Sequence, residues 1–151
     1  AKKRKINSDR IIFAEKVSLI SEHLDRHKHA DLYLDTFNYN GHTSVSDSLW
    51  SGLPVVTKSG NQFSSRVASS LLNSIGLEEM ITKNQNDYES LILDLAVDKN
   101  KLSMIKEKLK KNISNLPLFN NQLYARNFEK GLKLIYSDYL NKKNLIDIEV
   151  I

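Results

Sequence analysis

Residues 40–44, with the sequence Asn-Gly-His-Thr-Ser, join a sharp turn to side chains that can bind an anion. They follow the apolar residues 32–34, which are typical of a buried strand, and precede Leu49 and Trp50 on the apolar side of a predicted helix. Asn and Gly tolerate positive φ, so we predict a tight turn at Asn40 and Gly41, with the helix beginning directly after it. A helix start offers unpaired N–H groups and the positive end of the helix dipole, which together can bind phosphate.

Side chains on the first turns of this helix could extend the contact from a phosphate to a whole nucleotide. Asp47 follows Thr43 by four residues and Ser44 by three, so the three share one helix face. Hydroxyl groups beside the phosphates suit a nucleotide whose ribose hydroxyls bind the carboxylate one turn further, and His42 could add a donor. In the competing interpretation, Thr43 or Ser44 only caps the helix. His42 and Asp47 are then solvated surface residues.

The elements that position these residues alternate between strand and helix. Apolar runs predict strands at residues 10–13, 31–35 and 53–57 and around Met80 and Ile81. Periodicity and capping residues predict six helices: residues 20–30, residues 43–51, one that ends at Ile75, one that begins at Asn86, one that begins at Asp98 and one after residue 120. Gly52 is predicted to end the helix at residues 43–51 in the left-handed conformation. Such alternation predicts an α/β fold with a short parallel sheet covered by helices on both faces. Ligands bind these sheets at the carboxyl ends of the strands, which is where residues 40–44 follow the second strand.

The last predicted helix carries one apolar stripe, and the tail after it has no assigned structure. The stripe consists of Tyr124, Phe128, Leu132, Ile135 and Tyr139 at helical spacing. We predict that this stripe packs against another surface and binds no ligand. Residues 142–151 stay unassigned, because they fit either an extra strand or a disordered tail.

Length and composition fit a single soluble globular domain. The chain has 151 residues, of which 40% are hydrophobic and 26% are charged. No apolar run approaches the length of a membrane span, about 20 residues, and the basic residues 2–5 are not followed by the apolar region of a secretory signal. The lack of cysteine excludes disulfides and thiol zinc sites. We therefore expect a cytoplasmic protein without a membrane partner.

The basic residues could also suggest a nucleic-acid partner. The net charge of +4 arises from 22 basic and 18 acidic residues, with clusters at residues 2–5, 106–111 and 142–143. A nucleic-acid-binding protein would need these clusters on one surface, whereas clusters on helices are usually solvated faces. We expect no nucleic-acid partner.

Three histidines, His23, His27 and His29, could suggest a metal site. His23 and His27 have the four-residue spacing of ligands on one helix face, but no cysteine or obvious carboxylate completes the set. Hydrolytic zinc motifs also need a Glu directly after the first His, whereas Glu22 precedes His23. We predict no metal and no other cofactor.

Several segments together resemble one known family. Residues 31–44 (Asp-Leu-Tyr-Leu-Asp-Thr-Phe-Asn-Tyr-Asn-Gly-His-Thr-Ser) and 47–57 (Asp-Ser-Leu-Trp-Ser-Gly-Leu-Pro-Val-Val-Thr) resemble the protein O-linked N-acetylglucosamine transferases and their SPINDLY-type relatives. The likeness continues through residues 65–72, 77–84 and 117–120 into the last helix, so that it covers residues 10–140. A Gly-x-Pro-Val-Val run alone is a weak signal, but the ordered set of segments is specific.

The resemblance implies a GT-B glycosyltransferase with two Rossmann-like lobes. This chain, over residues 1–141, would be the C-terminal donor-binding lobe, incomplete on its N-terminal side. The implied donor is a UDP-sugar, usually UDP-N-acetylglucosamine, or GDP-fucose in the SPINDLY branch, and the sugar is transferred with inversion to Ser or Thr of a protein. The implied partners are tetratricopeptide repeats and the N-terminal lobe. The catalytic residues would lie in the N-terminal lobe. The chain alone is therefore expected to be inactive.

The resemblance also implies roles for single residues. His42, Thr43 and Ser44 would hold the diphosphate of the donor. Asp47 would hold the ribose, and His23 would lie near the base. UDP is favoured over GDP, because residues 40–43 are closer to the N-acetylglucosamine branch of the family.

Two positions depart from the family pattern. The family's His-Thr-Thr is His-Thr-Ser here, which keeps a hydroxyl at Ser44. A Lys that usually stands three residues before His23 is replaced by Ile20. This second departure leaves open an alternative function, a non-catalytic nucleotide-binding or protein-interaction module that retains the fold.

Overall fold

Three short strands form one parallel sheet in a computed structural model that describes residues 2–144 and 146–150. The strands are β1 (Tyr33–Leu34), β2 (Val55–Lys58) and β3 (Ile81–Thr82), in the order β1-β2-β3. Tyr33 aligns with Val55 on β2, and Thr57 aligns with Ile81 on β3. The parallel sheet confirms the predicted fold class, since each strand is followed by a helix before the next strand.

Six α-helices accompany the sheet in the described residues. They are α1 (Ile20–Asp25), α2 (Thr43–Trp50), α3 (Val67–Ser74), α4 (Gln85–Val97), α5 (Lys99–Asn115) and α6 (Asn121–Leu140). A 3₁₀ turn, Arg26–His29, continues α1. In the part of the chain that the structure describes, no helix is long and apolar enough to cross a membrane.

The core forms around β2, whose first three residues, Val55, Val56 and Thr57, are buried. Four helices and the connection before β3 supply the other apolar side chains of this cluster: Val45, Leu49, Ala68, Leu72, Ile75, Leu77, Met80, Tyr88, Leu95, Ile105 and Leu109. Burial of a large aliphatic side chain contributes about 1.5–3 kcal/mol, so this cluster is the main stabilising term of the fold. Through Val45 and Leu49 it packs α2 against β2.

The predicted strand at residues 10–13 is wrong. A 3₁₀ turn, Ser8–Arg10, occupies its beginning, and the apolar Ile12 and Phe13 are 87% and 88% exposed. An apolar run becomes a strand only when a neighbouring strand supplies hydrogen-bond partners. The described sheet ends at β1 and β3, and neither pairs with this segment.

Several helix ends in the described residues follow the local capping rules. α2 was predicted to end before Gly52, and Gly52 has a φ of +80°, which confirms the left-handed stop. Asp98 caps α5 as predicted, by accepting a hydrogen bond from the N–H of Lys101. The predicted cap of α4 at Asn86 is wrong, because Asn84, two residues after β3, caps that helix instead. Both asparagines suit the role chemically, so composition did not distinguish them.

The apolar stripe of α6 is exposed in this structure. Its members range from half-exposed to largely exposed, and they are Tyr124, Phe128, Leu132, Ile135 and Tyr139. After α6 the chain turns at Lys142, whose φ is +51°, and residues 146–150 form neither helix nor strand. A Cβ on Gly131 would lie 3.5 Å from Val150, so this tail lies beside α6. Leu145 and Ile151 fall outside the described residues.

Candidate functional site

The buried carboxylate of Asp35 fixes the loop that follows β1. Asp35 is 3% exposed, and its two oxygens accept separate hydrogen bonds. Oδ1 accepts from the backbone N–H of Gly41 at 2.7 Å, and Oδ2 accepts from the Thr57 hydroxyl at 2.6 Å. Asp35 therefore joins β1 and β2 to the residue that precedes the N-cap of α2. A buried charge is tolerated when its oxygens are satisfied in this way.

Two further hydroxyl groups extend this network along the carboxyl edge of the sheet. The Tyr88 hydroxyl of α4 donates to the backbone carbonyl of Asp35 at 2.8 Å. The Thr82 hydroxyl of β3 donates to the backbone carbonyl of Thr57 at 3.0 Å. Burial, together with the nearby negative charge of Asp35, raises the pKa of Tyr88 to about 12. All three strands and α4 are thus linked to the loop before α2.

We expect Tyr88 to make the protein less stable at high pH. Its folded pKa of about 12 exceeds the ordinary value of 10, so the folded state keeps the proton more tightly than the unfolded state. The resulting stability is present below pH 10 and is lost as the pH rises from 10 to about 12. Urea unfolding at those two pH values should show a smaller loss for Tyr88→Phe than for the parent. Tyr124→Phe, at an exposed position on α6, should behave like the parent, and equal losses in all three chains would refute the assignment.

The turn before α2 is set by Asn40. A sharp turn was predicted at Asn40 and Gly41 because both residue types tolerate positive φ, but in this described loop the residue with a positive φ is Asn38, at +67°. Asn40 is 1% exposed. Its backbone N–H donates to the backbone carbonyl of Ser64 at 2.8 Å, and its side-chain amide donates to the backbone carbonyl of Thr36 at 3.0 Å. The turn is therefore held by the loop after β2, a partner far away in sequence.

At position 41 the surroundings favour glycine because of the space near its Cα, and not because of its backbone conformation. A Cβ at this position would lie 2.5 Å from the Ser44 hydroxyl oxygen, 2.7 Å from Tyr33 Oη and 3.0 Å from Val45 Cγ2. The backbone thus runs close against the first turn of α2. Tyr33 Oη and Ser44 Oγ lie 3.0 Å apart across this point, within hydrogen-bond distance.

Thr43 and Ser44 occupy the first two positions of α2, with exposed side chains. His42 is the N-cap residue, so neither hydroxyl residue is the simple cap of the competing interpretation. Among the described residues the N-cap side chain makes no hydrogen bond to the first turn. The backbone N–H groups of that turn, and the positive end of the helix dipole, therefore remain available to an anion.

The imidazole of His42 lies between two aromatic rings. It stacks on Tyr39, with ring centroids 4.9 Å apart, and meets Phe63 edge-on at 6.2 Å. Its Nε2 atom is buried and has no hydrogen-bond partner within the described residues. His42 is therefore not a solvated turn residue, and the rings fix its orientation beside the helix start.

The structure brings together His23 and Asp47, which are separated by 24 positions in the sequence. His23 Nε2 lies 3.5 Å from Asp47 Oδ2, and the side chains are 37% and 24% exposed. Asp47 is one turn into α2 from Thr43, as the helical spacing predicted. His23 also lines a shallow cleft of about 340 Å³, together with Ile20 and Arg26. The five predicted site residues thus lie on or beside the first turns of α2.

The histidines do not form a metal centre with other residues in the described ranges. His27 meets His23 edge-on, with ring centroids 5.3 Å apart, and its Nδ1 lies 3.1 Å from the carbonyl oxygen of Leu24. No three His, Asp or Glu side chains of residues 2–144 and 146–150 come together as metal binding would require.

The sequence missed the residues that hold the site in place, namely Tyr33, Asp35 and Thr57. Asp35 and Thr57 end apolar strand runs, and a polar residue at a strand end is too common to be a signal alone. Their contacts join residues 22 positions apart, which no local pattern reveals. The parallel order of the strands was the one available clue, because it brings the carboxyl ends together.

Comparison with known proteins agrees with this architecture. A sequence profile described as glycosyl transferase family 41 matches residues 1–128. The chain is 36% identical over 127 residues to an Arabidopsis thaliana protein named a probable UDP-N-acetylglucosamine–peptide N-acetylglucosaminyltransferase SEC, a match covering 83% of this chain and 13% of the relative. It is 34% identical over 132 residues to a Giardia intestinalis protein named UDP-N-acetylglucosamine–peptide N-acetylglucosaminyltransferase, with coverages of 87% and 9%.

One solved structure extends the likeness to three dimensions. A mutant O-GlcNAc transferase of Thermobaculum terrenum matches with a TM-score of 0.71 and 30% identity, over 75% of this chain and 22% of that one. The chain spans only 9% and 13% of the length of the two curated relatives. It corresponds to a lobe of the GT-B fold of such transferases. From its sequence and its fold, the chain belongs to glycosyl transferase family 41.

Proposed function

We propose that this chain is the donor-binding lobe, over residues 1–141, of an inverting glycosyltransferase that moves a sugar from a UDP-sugar to Ser or Thr hydroxyls of proteins. The observation that carries the proposal is the start of α2. Asp35 holds it at the carboxyl edge of a parallel sheet, where Thr43 and Ser44 are exposed and Asp47 follows one turn later. Parallel α/β sheets bind ligands at this edge, and helix starts favour phosphate.

The diphosphate is assigned to the first turn of α2. The hydroxyls of Thr43 and Ser44 and the backbone N–H groups can donate to its oxygens without any change of protonation state. The aromatic rings of Tyr39 and Phe63 hold His42 beside them. As the sugar leaves, negative charge grows on the diphosphate, and preorganised donors stabilise that charge.

The nucleoside is assigned to the side of α2 where His23 and Asp47 meet. The Asp47 carboxylate would accept hydrogen bonds from the ribose hydroxyls, and His23, 3.5 Å away, would lie near the base. The names of two relatives specify UDP-N-acetylglucosamine as donor and a peptide as acceptor, which supports the same pair for this chain. We assign no metal or other cofactor to the site.

The catalytic groups are assigned to another lobe. The described chain supplies donors for the diphosphate and a carboxylate for the ribose, but we identify no general base at the site. We therefore propose that this chain is inactive alone and works with an N-terminal lobe and tetratricopeptide repeats in a full-length protein. The chain matches only 13% of the length of one relative, which supports the proposal that other domains supply the catalytic groups.

The alternative function is a non-catalytic module that retains the fold. Ile20 favours it, because a Lys is expected there from the family pattern and Ile20 is 67% exposed beside His23. The Ile20→Lys variant separates the two proposals. If this site binds a donor, the added cation should strengthen UDP binding, whereas a module that binds no nucleotide should not respond.

Calorimetric titration of the chain with UDP, and in parallel with GDP, tests the proposal. Binding of UDP in preference to GDP would support a UDP-sugar donor. Preference for GDP would move the assignment to a GDP-sugar. Absence of binding to both nucleotides by the folded chain would count against the donor site.

We expect Asp47→Ala to weaken UDP binding roughly tenfold or more, since a hydrogen bond to a charged group contributes about 1.5–3 kcal/mol. The partly exposed Asp47 lies outside the apolar core, so the melting temperature should change little. Glu107→Ala, which removes an exposed carboxylate from α5, is the matched control and should bind like the parent. If Asp47→Ala bound UDP as tightly as the parent, the ribose assignment would be wrong.

A further inference from the structure

We infer that Tyr33 is a positioning residue for the diphosphate, acting through the hydroxyl of Ser44. The inference rests on the proposed function, because Ser44 is assigned to the diphosphate there. Tyr33 itself is not placed in contact with the nucleotide. Its role would be to hold the Ser44 hydroxyl with its proton directed away from the protein.

The geometry fixes the two hydroxyl groups relative to each other. Tyr33 lies on β1, where its backbone N–H donates to the carbonyl of Pro54 at 2.8 Å, and its side chain is half-buried. Ser44 lies on the first turn of α2 and is exposed. The 3.0 Å between Tyr33 Oη and Ser44 Oγ therefore joins a fixed strand to an open helix start. A serine hydroxyl would otherwise rotate freely among its staggered positions.

The chemistry of the two groups indicates which one donates. A phenol is a stronger hydrogen-bond donor than an aliphatic alcohol, so Tyr33 is expected to donate and Ser44 to accept. The Ser44 proton is then left free for an oxygen of the diphosphate. Hydrogen bonds in such a chain polarise one another, so the contact from Ser44 to the phosphate should be strengthened.

Gly41 provides independent support for this pair. A Cβ at position 41 would lie 2.5 Å from Ser44 Oγ and 2.7 Å from Tyr33 Oη. The backbone therefore passes directly beside both hydroxyl oxygens, and a larger residue would require one or both side chains to move. Asp35 holds Gly41 in this place through the 2.7 Å bond to its N–H. The loop is thus fitted to the Tyr33–Ser44 contact.

A purely structural role is the competing explanation, in which the pair only ties β1 to α2. If the role is structural, a change of Tyr33 should weaken the binding of UDP and of uridine by the same factor. If the role is positioning, the change should weaken only the binding of the phosphates, because Ser44 contacts no other part of the ligand in the proposed site. Comparison of UDP with uridine, which lacks phosphates, separates the two.

The experiment measures binding of UDP and of uridine to the 151-residue chain and to three variants, Tyr33→Phe, Ser44→Ala and the double variant. NMR titration reports weak uridine binding together with the integrity of the fold. We expect Tyr33→Phe to weaken UDP binding about fivefold, in the range of one hydrogen bond, and to leave uridine unchanged. In the Ser44→Ala background, Tyr33→Phe should have no further effect. Tyr124→Phe on α6 is the matched control for loss of a hydroxyl.

Each other outcome identifies what has failed. Unchanged UDP affinity in Tyr33→Phe would overturn the inference while the proposed function stands. So would an equal loss for UDP and uridine, or losses that add in the double variant. If the parent chain bound no UDP, the proposed function would be overturned, and this inference would fall with it.

Discussion

Asp35→Ala should lower the free energy of unfolding by about 3 kcal/mol and abolish detectable UDP binding. The carboxylate is buried and accepts from the Gly41 N–H and the Thr57 hydroxyl. Its removal leaves two donors without a partner, and each unsatisfied buried donor costs about 1–3 kcal/mol. Gly41 directly precedes the N-cap of α2, so release of its N–H should also displace the helix start to which we assign the diphosphate.

Urea unfolding and UDP titration of matched variants test this expectation. Asp35→Asn keeps one acceptor oxygen, so its stability should fall between those of the parent and Asp35→Ala. Asp31→Ala is the matched control, because it removes a carboxylate that lies before β1. The Asp31 side chain is 83% exposed, and within the described residues its ion pair is with Lys106. Loss of such a surface ion pair should cost less than about 1 kcal/mol. Equal stability of Asp35→Ala and Asp31→Ala would contradict the anchoring role.

The parts of the site that were predictable depend on neighbours in sequence. Helical spacing placed Thr43, Ser44 and Asp47 on one face, and the first turns of α2 carry all three. Gly52 was recognised as a helix stop because a left-handed residue after a helix favours glycine. These features follow from backbone conformation within a few residues, so local patterns were sufficient.

The parts that were not predictable depend on distant partners. Residues 10–13 have the composition of a strand, but no described strand pairs with them. Asp35 meets Thr57 across 22 residues and Tyr88 across 53, and neither contact leaves a trace in the adjacent sequence. Sequence patterns therefore placed the candidate residues on the first turns of α2, whereas the contacts that support these turns required the three-dimensional arrangement.

Gly41 shows the same division in a single residue. Next to Asn40 it predicted a sharp turn, because both residue types tolerate positive φ, but neither residue has a positive φ, and the bends lie at residues 37–39 and 42. The requirement for glycine instead comes from Ser44, Tyr33 and Val45, which surround the position where a Cβ would stand. The turn propensity of glycine therefore does not explain why this residue stands at position 41, whereas the limited space beside Ser44 and Tyr33 does.

Gly41→Ala should therefore weaken UDP binding, because the new methyl group would displace the Ser44 hydroxyl, and should lower stability by about 1 kcal/mol, the lower end of the cost of overpacking, because all three contacts are to side-chain atoms. The φ of Gly41 lies outside the left-handed region, so the added methyl group is the only perturbation. Gly131→Ala in α6 is the matched control, because its Cβ would meet only Val150 at 3.5 Å, an ordinary contact. That change should leave UDP binding intact and slightly stabilise the helix, as alanine is the better helix former.

The cause of the effect can be separated from its consequence by a rescue experiment. Ser44→Ala and Tyr33→Phe together remove the two oxygens that would lie 2.5 and 2.7 Å from the new Cβ. In that background, Gly41→Ala should cost much less stability than in the parent chain. UDP binding should stay weak, because the hydroxyl assigned to the diphosphate is gone. An undiminished stability cost would mean that Val45 or the loop backbone, and not the hydroxyl pair, sets the requirement for glycine.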